Sequence, residues 1–296
     1  MKHLLTIGDL TTEEINSILA AASEHALAGR LKLDRPGFTA GLVFLSSSLR
    51  TRAGFAEAAV RLGGTPIDLS EMRWDPNMSA AESFADTLRT VSGIVDVVVV
   101  RAPIDLTNKL VAEWAVAPVV CAGDRSHHPT QALIDVFAIE QLRGPLALQR
   151  VAICGDLTMR ATRSLLEFFV RRPPAELILI APESRREHGV ELGEVLSLRT
   201  SFRTLDDLAG IDVLSMGGLA PKLGNDLLND AARAPFILNA SRFRSLPADA
   251  TVLSPMPVID EIAGDARSDQ RVRMFEQSDL SVAIRMAVLD HVRRVR

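Results

Sequence analysis

The sequence predicts an α/β protein of two domains, each a mainly parallel sheet flanked by helices, and three observations predict it. Short apolar runs alternate with amphipathic stretches along the whole chain, the pattern of parallel strands joined by helices. Nine such runs read as strands, too many for one compact half of a 296-residue chain. A Gly144-Pro145 pair breaks the alternation near the middle, between a helical stretch and a new apolar run.

In chain order, Thr11-Thr12-Glu13-Glu14 opens the first helix, because a hydroxyl there accepts from first-turn amides that otherwise lack partners. Leu19, Ala22 and His25 follow at helical spacing. The strands of the first half are Gly41 to Ser46, Thr65 to Leu69, Val95 to Val100 and Ala117 to Ala122. One helix starts after Ser48 and another at Pro129, whose fixed φ suits a first turn. The boundary falls in Gln141 to Arg150, giving domains 1–143 and 144–296. The second half contributes strands at Val151 to Gly155, Leu177 to Ala181, Val213 to Met216, Ile237 to Ala240 and Ala250 to Leu253. Met274 to Val295 forms a long helix with Phe275, Leu280, Ile284, Met286 and Leu289 on its apolar surface, free to pack back on the first domain.

Composition narrows the class. A hydrophobic fraction of 47% with 24% charged residues suits a globular core, and no apolar run is long enough to span a bilayer, so no membrane partner is expected. A net charge of −4 offers no general attraction for nucleic acid. The first residues lack the apolar core and cleavage site of a secretory leader, so a cytoplasmic location is expected. Cys121 and Cys154 sit in or beside apolar runs and read as buried thiols, not a disulfide.

Three segments carry chemistry. Leu42 to Phe55 runs a strand into Ser46-Ser47-Ser48 and then a helix opening with Leu49-Arg50-Thr51-Arg52. Free amides and the positive end of the helix dipole make such a turn an anion site, and Arg50 adds charge-assisted hydrogen bonds. An ordinary Ser-capped helix with solvent-exposed arginines explains the same letters about equally well. Arg101 follows Val97-Val98-Val99-Val100, at the carboxyl end of a buried strand, where open α/β sheets bind ligands; an arginine reaching water is the plainer alternative. Asp124-Arg125-Ser126-His127-His128-Pro129-Thr130-Gln131 places His128 at a helix cap and Gln131 one turn in. The two histidines have no further carboxylate or cysteine at ligand spacing, so no metal is expected.

The sequence resembles the aspartate/ornithine carbamoyltransferase family over nearly its whole length. Ser48-Leu49-Arg50-Thr51-Arg52 is similar to its Ser-Thr-Arg-Thr-Arg loop, and His128-Pro129-Thr130-Gln131 matches its His-Pro-Thr-Gln unchanged. Glu82-Ser83-Phe84-Ala85-Asp86-Thr87, Gly155-Asp156-Leu157 with Arg160, Ser254-Pro255-Met256-Pro257, Asp260-Glu261-Ile262 and Arg285-Met286-Ala287 resemble further motifs in the family's order. The resemblance implies a carbamoyl-phosphate-binding first domain, an acceptor-binding second domain and transfer of the carbamoyl group to an amino acid, aspartate or a related acceptor. It implies that Ser48, the Leu49 amide, Arg50 and Thr51 hold phosphate. Thr51, Arg101 and His128 would donate to the carbonyl oxygen. Gln131 and the backbone carbonyls of Pro255 and Met256 would take the carbamoyl amide hydrogens. Arg160, Ser215 and Met216 fall at acceptor-binding positions. It implies no cofactor and no metal, and a homotrimer with shared active sites, within a larger assembly in some members.

The departures concern mainly the acceptor. Leu49 replaces the loop's second threonine, and Ala80 stands where aspartate-type members carry a lysine delivered to the neighbouring subunit. Loss of one such charged donor costs on the order of 10²- to 10³-fold in rate, with Arg73 a nearby candidate substitute. Gly218 and Ala220 replace the Arg-x-Gln that grips acceptor carboxylates, and Ser254, Pro255 and Val258 differ around the Pro257 loop. Two readings stay open at this level: an active carbamoyltransferase, or a weak or inactive homologue acting as a ligand-binding or structural partner. The intact phosphate half favours the first.

Overall fold

The computed structural model describes residues 2–29, 37–69, 83–185, 194–195, 197–219, 222–223, 226–227 and 229–294. They fall into two compact units: residues 1–133 with 280–296, and residues 134–279.

The first unit holds α1 (Thr12–Ala28), β1 (Thr39–Phe44), α2 (Leu49–Arg61), β2 (Thr65–Asp68), α3 (Phe84–Ile94), β3 (Val97–Arg101), α4 (Asn108–Trp114), β4 (Val119–Cys121) and the start of α5 (Pro129–Arg143). Its sheet is parallel in the order β2-β1-β3-β4. Val97 to Val100 are fully buried, as a continuous apolar run between two helical layers requires. At the edge, β2 admits Pro66, whose missing N–H is harmless there. α1 starts with the expected cap: Thr11 Oγ1 accepts from the Glu14 amide, and Glu14 accepts back from the Thr11 amide.

The second unit holds the rest of α5, then β5 (Arg150–Gly155), α6 (Arg160–Arg171), β6 (Glu176–Ile180), β7 (Thr200–Phe202), β8 (Val213–Gly218), a hairpin of β9 (Lys222–Leu223) and β10 (Asp226–Leu227), α7 (Asp230–Arg233), α8 (Ala240–Phe243) and β11 (Thr251–Leu253). Its main sheet is parallel in the order β11-β8-β5-β6-β7. Ile178, Leu214, Met216, Leu238 and Val252 lie in one apolar cluster on this sheet. The final helix, α9 (Met274–Arg294), starts in the second unit and belongs to the first from Leu280 on.

Two expectations change. Gly144, at φ +86°, ends α5, and the compact units divide within that helix. Ile237 to Ala240 is not a strand. Leu238 makes one isolated bridge to Ile262, and Asn239 then caps α8 by accepting from the Arg242 amide at 3.0 Å. β7, a short Thr-Ser-Phe strand at the sheet edge, has no apolar run to announce it.

In the second unit, β5 and β8 close tightly at their carboxyl ends. Gly155 has φ +132°, and a Cβ there would lie 2.8 Å from the Gly218 amide nitrogen and closer still to its carbonyl oxygen. Neither backbone can yield, since the Asp156 amide donates to the Gly218 carbonyl at 2.8 Å. Gly155→Ala is therefore expected to destabilise the fold by about 3 kcal/mol or more, read as a lowered denaturation midpoint; an unchanged midpoint would show that this approach relaxes freely.

Candidate active site

Strand order locates the site before any side chain does. In the first sheet β1 connects outward to β2 on one side, whereas β3 and β4 build the other side. The order reverses between β1 and β3, and open α/β sheets bind ligands in the crevice outside the carboxyl ends at such a point. Phe44 pairs with Arg101 at those ends, and the Leu45 amide donates to the Arg101 carbonyl at 2.8 Å. The serine-rich loop and Arg101 are thus direct neighbours, and β4 delivers His128 beside them.

The loop differs from an ordinary Ser-capped helix start. Ser48 occupies the cap of α2 but makes no side-chain cap hydrogen bond, unlike Thr11, Ser83 and Thr107 at the starts of α1, α3 and α4. No acidic residue sits in the first turn of α2, where the dipole would favour one. Ser46 Oγ is buried without a hydrogen-bond partner among the described residues. Residues 44–49 and Arg52 line an open cavity of 430 Å³. Leu49 is exposed on it, Thr51 is buried two positions on, and Arg50 is not among the lining residues. Surrounding protein desolvates the Arg50 guanidinium and lowers its pKa. Arg52 sits 3.4 Å from Asp68 Oδ2, an exposed pair of little energetic weight.

Arg101 and His128 converge across Gly123. Arg101, only 9% exposed, donates from Nη1 to the Ala122 carbonyl at 3.1 Å. Gly123 has φ +110°, and a Cβ there would lie 2.8 Å from Arg101 Nη1, 3.1 Å from His128 Cδ2 and 3.4 Å from His128 Nε2. The missing side chain is what lets a guanidinium and an imidazole share one small volume. His128 is buried, precedes the first turn of α5, and has Nδ1 3.4 Å from Thr130 Oγ1. The loop is held by Asp124: burial opposes its charge, but hydrogen bonds from His127 and the amides of Leu106, His127 and Ser126 outweigh that and hold its pKa below the usual carboxylate value. Gln131 follows on α5, its amide donating to the His128 carbonyl at 2.9 Å.

The second sheet has its own reversal, between β5 and β8. Arg160 opens α6 immediately beyond β5, and α6, like α2, lacks both a side-chain cap and an acidic first turn. Ser215 and Met216 lie on β8, Ser215 nearly buried and Met216 fully buried in the apolar core, so Met216 offers a ligand only backbone groups. Gly218 has φ +74°, and the Glu261 carboxyl carbon lies 3.3 Å from where its Cβ would be. Nearby Arg233 is held by Asp260 through two bonds of 2.6 and 2.7 Å and donates to the Leu219 carbonyl at 3.1 Å. Pro255 and Met256 follow β11; Met256 has a left-handed φ of 46°, and its amide donates to Ser254 Oγ at 3.1 Å. The Ser254 amide donates to Gln277 Oε1 at 3.0 Å, and Gln277 donates to Asp135 at 2.5 Å. A non-glycine residue in that conformation costs about 1–3 kcal/mol and needs such support.

Comparison with known proteins gives the family. The family model described as aspartate/ornithine carbamoyltransferase, carbamoyl-P binding domain, matches residues 2–141. An aspartate carbamoyltransferase catalytic subunit of Alkaliphilus oremlandii is 32% identical over 97% of this chain and 89% of its own. The chain belongs to the aspartate/ornithine carbamoyltransferase family. The catalytic subunit of M. jannaschii aspartate transcarbamoylase superposes with a TM-score of 0.84 at 28% identity, covering 99% of this chain and 98% of its own. Aspartate transcarbamoylase of Trypanosoma cruzi, in complex with carbamoyl phosphate and aspartate, gives 0.85 at 26% identity over 98% of this chain and 95% of its own.

Gly123 carries no signal in the sequence, because nothing local shows that Arg101 and His128 meet there. For Arg285, part of the Arg285-Met286-Ala287 motif, the available signal is a charged residue on the buried stripe of α9. Arg73, Ala80, Glu82 and Ala220 lie outside the described residues. Among the described residues no helix is long and apolar enough to cross a membrane.

Proposed function

We propose that this carbamoyltransferase moves the carbamoyl group of carbamoyl phosphate to the amino group of an amino acid and releases phosphate. The observation that carries the reading is the convergence of Arg101 and His128 across Gly123, beside the uncapped start of α2. The uncharged amine forms a C–N bond at the carbonyl carbon; the C–O bond to phosphate then breaks with its electron pair on the phosphate oxygen, and the departing phosphate takes up the proton that the amine nitrogen gives up. Thr51, Arg101 and His128 donate to the oxygen where negative charge develops, which usually supplies the largest share of such catalysis. Ser48, the Leu49 amide and Arg50 take the phosphate oxygens, while Gln131 and the Pro255 and Met256 carbonyls orient the carbamoyl amide. Holding both reactants in place supplies the remainder through proximity.

Arg160, with Ser215 and the Met216 backbone, makes the acceptor end. Aspartate is the first candidate, since the relatives above are aspartate carbamoyltransferases. Glu261 beside Gly218 adds negative charge to that end, so neutral and basic amino acids belong in the test as well. A cytoplasmic homotrimer with shared active sites completes the reading, in line with relatives named catalytic subunits. Incubating the protein with carbamoyl phosphate and an amino-acid panel is expected to release phosphate and give one carbamoylated product by mass. Absence of turnover on every acceptor, with carbamoyl phosphate still bound, would overturn the enzyme reading.

A further inference from the structure

The buried face of α9 carries Ile284, Val288, Leu289 and Val292 at helical spacing, and Arg285 lies among them. It is 3% exposed. Its Nη1 donates to Ser281 Oγ, one turn back, at 2.5 Å; its Nε has no hydrogen-bond partner and it makes no ion pair among the described residues. Its guanidinium lies 5.6 Å from the centre of the Phe55 ring. Room for it exists because residue 54 is glycine: a Cβ there would lie 2.7 Å from Arg285 Cζ and closer to Nη1. Arg285 therefore sits directly against the opening turns of α2. Burial, and then the charge of Arg50, lower its pKa to about 10.

A buried cation without a carboxylate is unfavourable for the fold. Two neighbouring guanidiniums at the positive end of a helix dipole compound that cost unless an anion arrives. We propose that Arg285 is a positioning residue for the phosphate end of the reaction: it keeps positive charge unneutralised beneath α2 and drives Arg50 outward, so that bound phosphate takes the place of the missing counter-ion. The inference rests on the carbamoyl-phosphate reading above and adds a residue that never touches the substrate.

Inorganic phosphate is the probe, titrated by calorimetry into the full-length protein and its Arg285→Met and Arg285→Lys variants, with thermal melts recorded without phosphate. Arg285→Met is expected to bind phosphate about tenfold more weakly, the scale of one short-range screened charge. Its melting temperature is expected to hold or rise, because an unpaired buried charge has been removed, and Arg285→Lys is expected to regain most of the affinity. KM for carbamoyl phosphate should rise in step. Unchanged affinity in Arg285→Met overturns the proposal. So does a parallel fall in affinity and melting temperature that lysine does not restore, which would mark a packing role. Should Arg285→Met fail to fold, Gly54→Ala displaces the guanidinium while favouring the helix itself; wild-type phosphate affinity in that variant also overturns it. A wild-type chain that binds no phosphate removes the carbamoyl-phosphate reading, and this inference with it.

Discussion

Arg50→Ala is expected to abolish measurable phosphate binding and to lower kcat/KM for carbamoyl phosphate by on the order of 10²- to 10³-fold, the scale of one charged oxyanion donor. The fold should survive the change. Arg50 is on the exposed side of α2, makes no ion pair among the described residues, and repels the buried Arg285, so its removal relieves that repulsion. Arg52 serves as the internal control. It lines the cavity but faces Asp68 in an exposed pair, so Arg52→Ala should cost about tenfold or less. Calorimetry with phosphate and carbamoyl phosphate reads both. Unchanged affinity in Arg50→Ala, or a larger loss in Arg52→Ala, would move the phosphate grip from Arg50 to Arg52.

How far the sequence led depended on whether a feature was local. Val97 to Val100 reads as a strand buried on both faces because four valines leave no polar face, and it is one. Thr11 and Glu14 announce α1 because capping is a matter of three residues. Ser48, Arg101 and His128 each follow an apolar run, so their positions beyond strand ends were readable too. Their mutual distances were not, because these depend on the order β2-β1-β3-β4, which no local pattern encodes. Gly144-Pro145 marks where a helix must stop, a local property, whereas the compact units reflect contacts along the whole chain. Ile237 to Ala240 misled for a local reason: its apolar letters outweighed Asn239, whose side chain favours a helix start. At the acceptor end the letters at Gly218 told of a lost arginine, but only the fold shows Glu261 beside it.

Gly123→Ala is expected to lower kcat by about 10²-fold while leaving the protein folded. The added methyl would stand 2.8 Å from Arg101 Nη1 and 3.1 Å from His128 Cδ2, and something must move. At Gly155 the obstacle is backbone and the fold suffers. At Gly123 it is the far end of a flexible side chain, so the Arg101 guanidinium swings aside. An alanine at φ +110° costs about 1–3 kcal/mol, enough to lower the melting temperature without unfolding the chain. The chemistry loses more, since the two carbonyl-oxygen donors are displaced together and oxyanion donors act only at the geometry for which they were set. None of the three atoms nearest that methyl belongs to Ser48 to Thr51, so phosphate affinity should stay within a few-fold of wild type, and the loss should appear in kcat more than in KM. Steady-state kinetics beside phosphate calorimetry separates the two. A kcat equal to wild type in a folded Gly123→Ala protein would mean that Arg101 and His128 do not act through the volume they share.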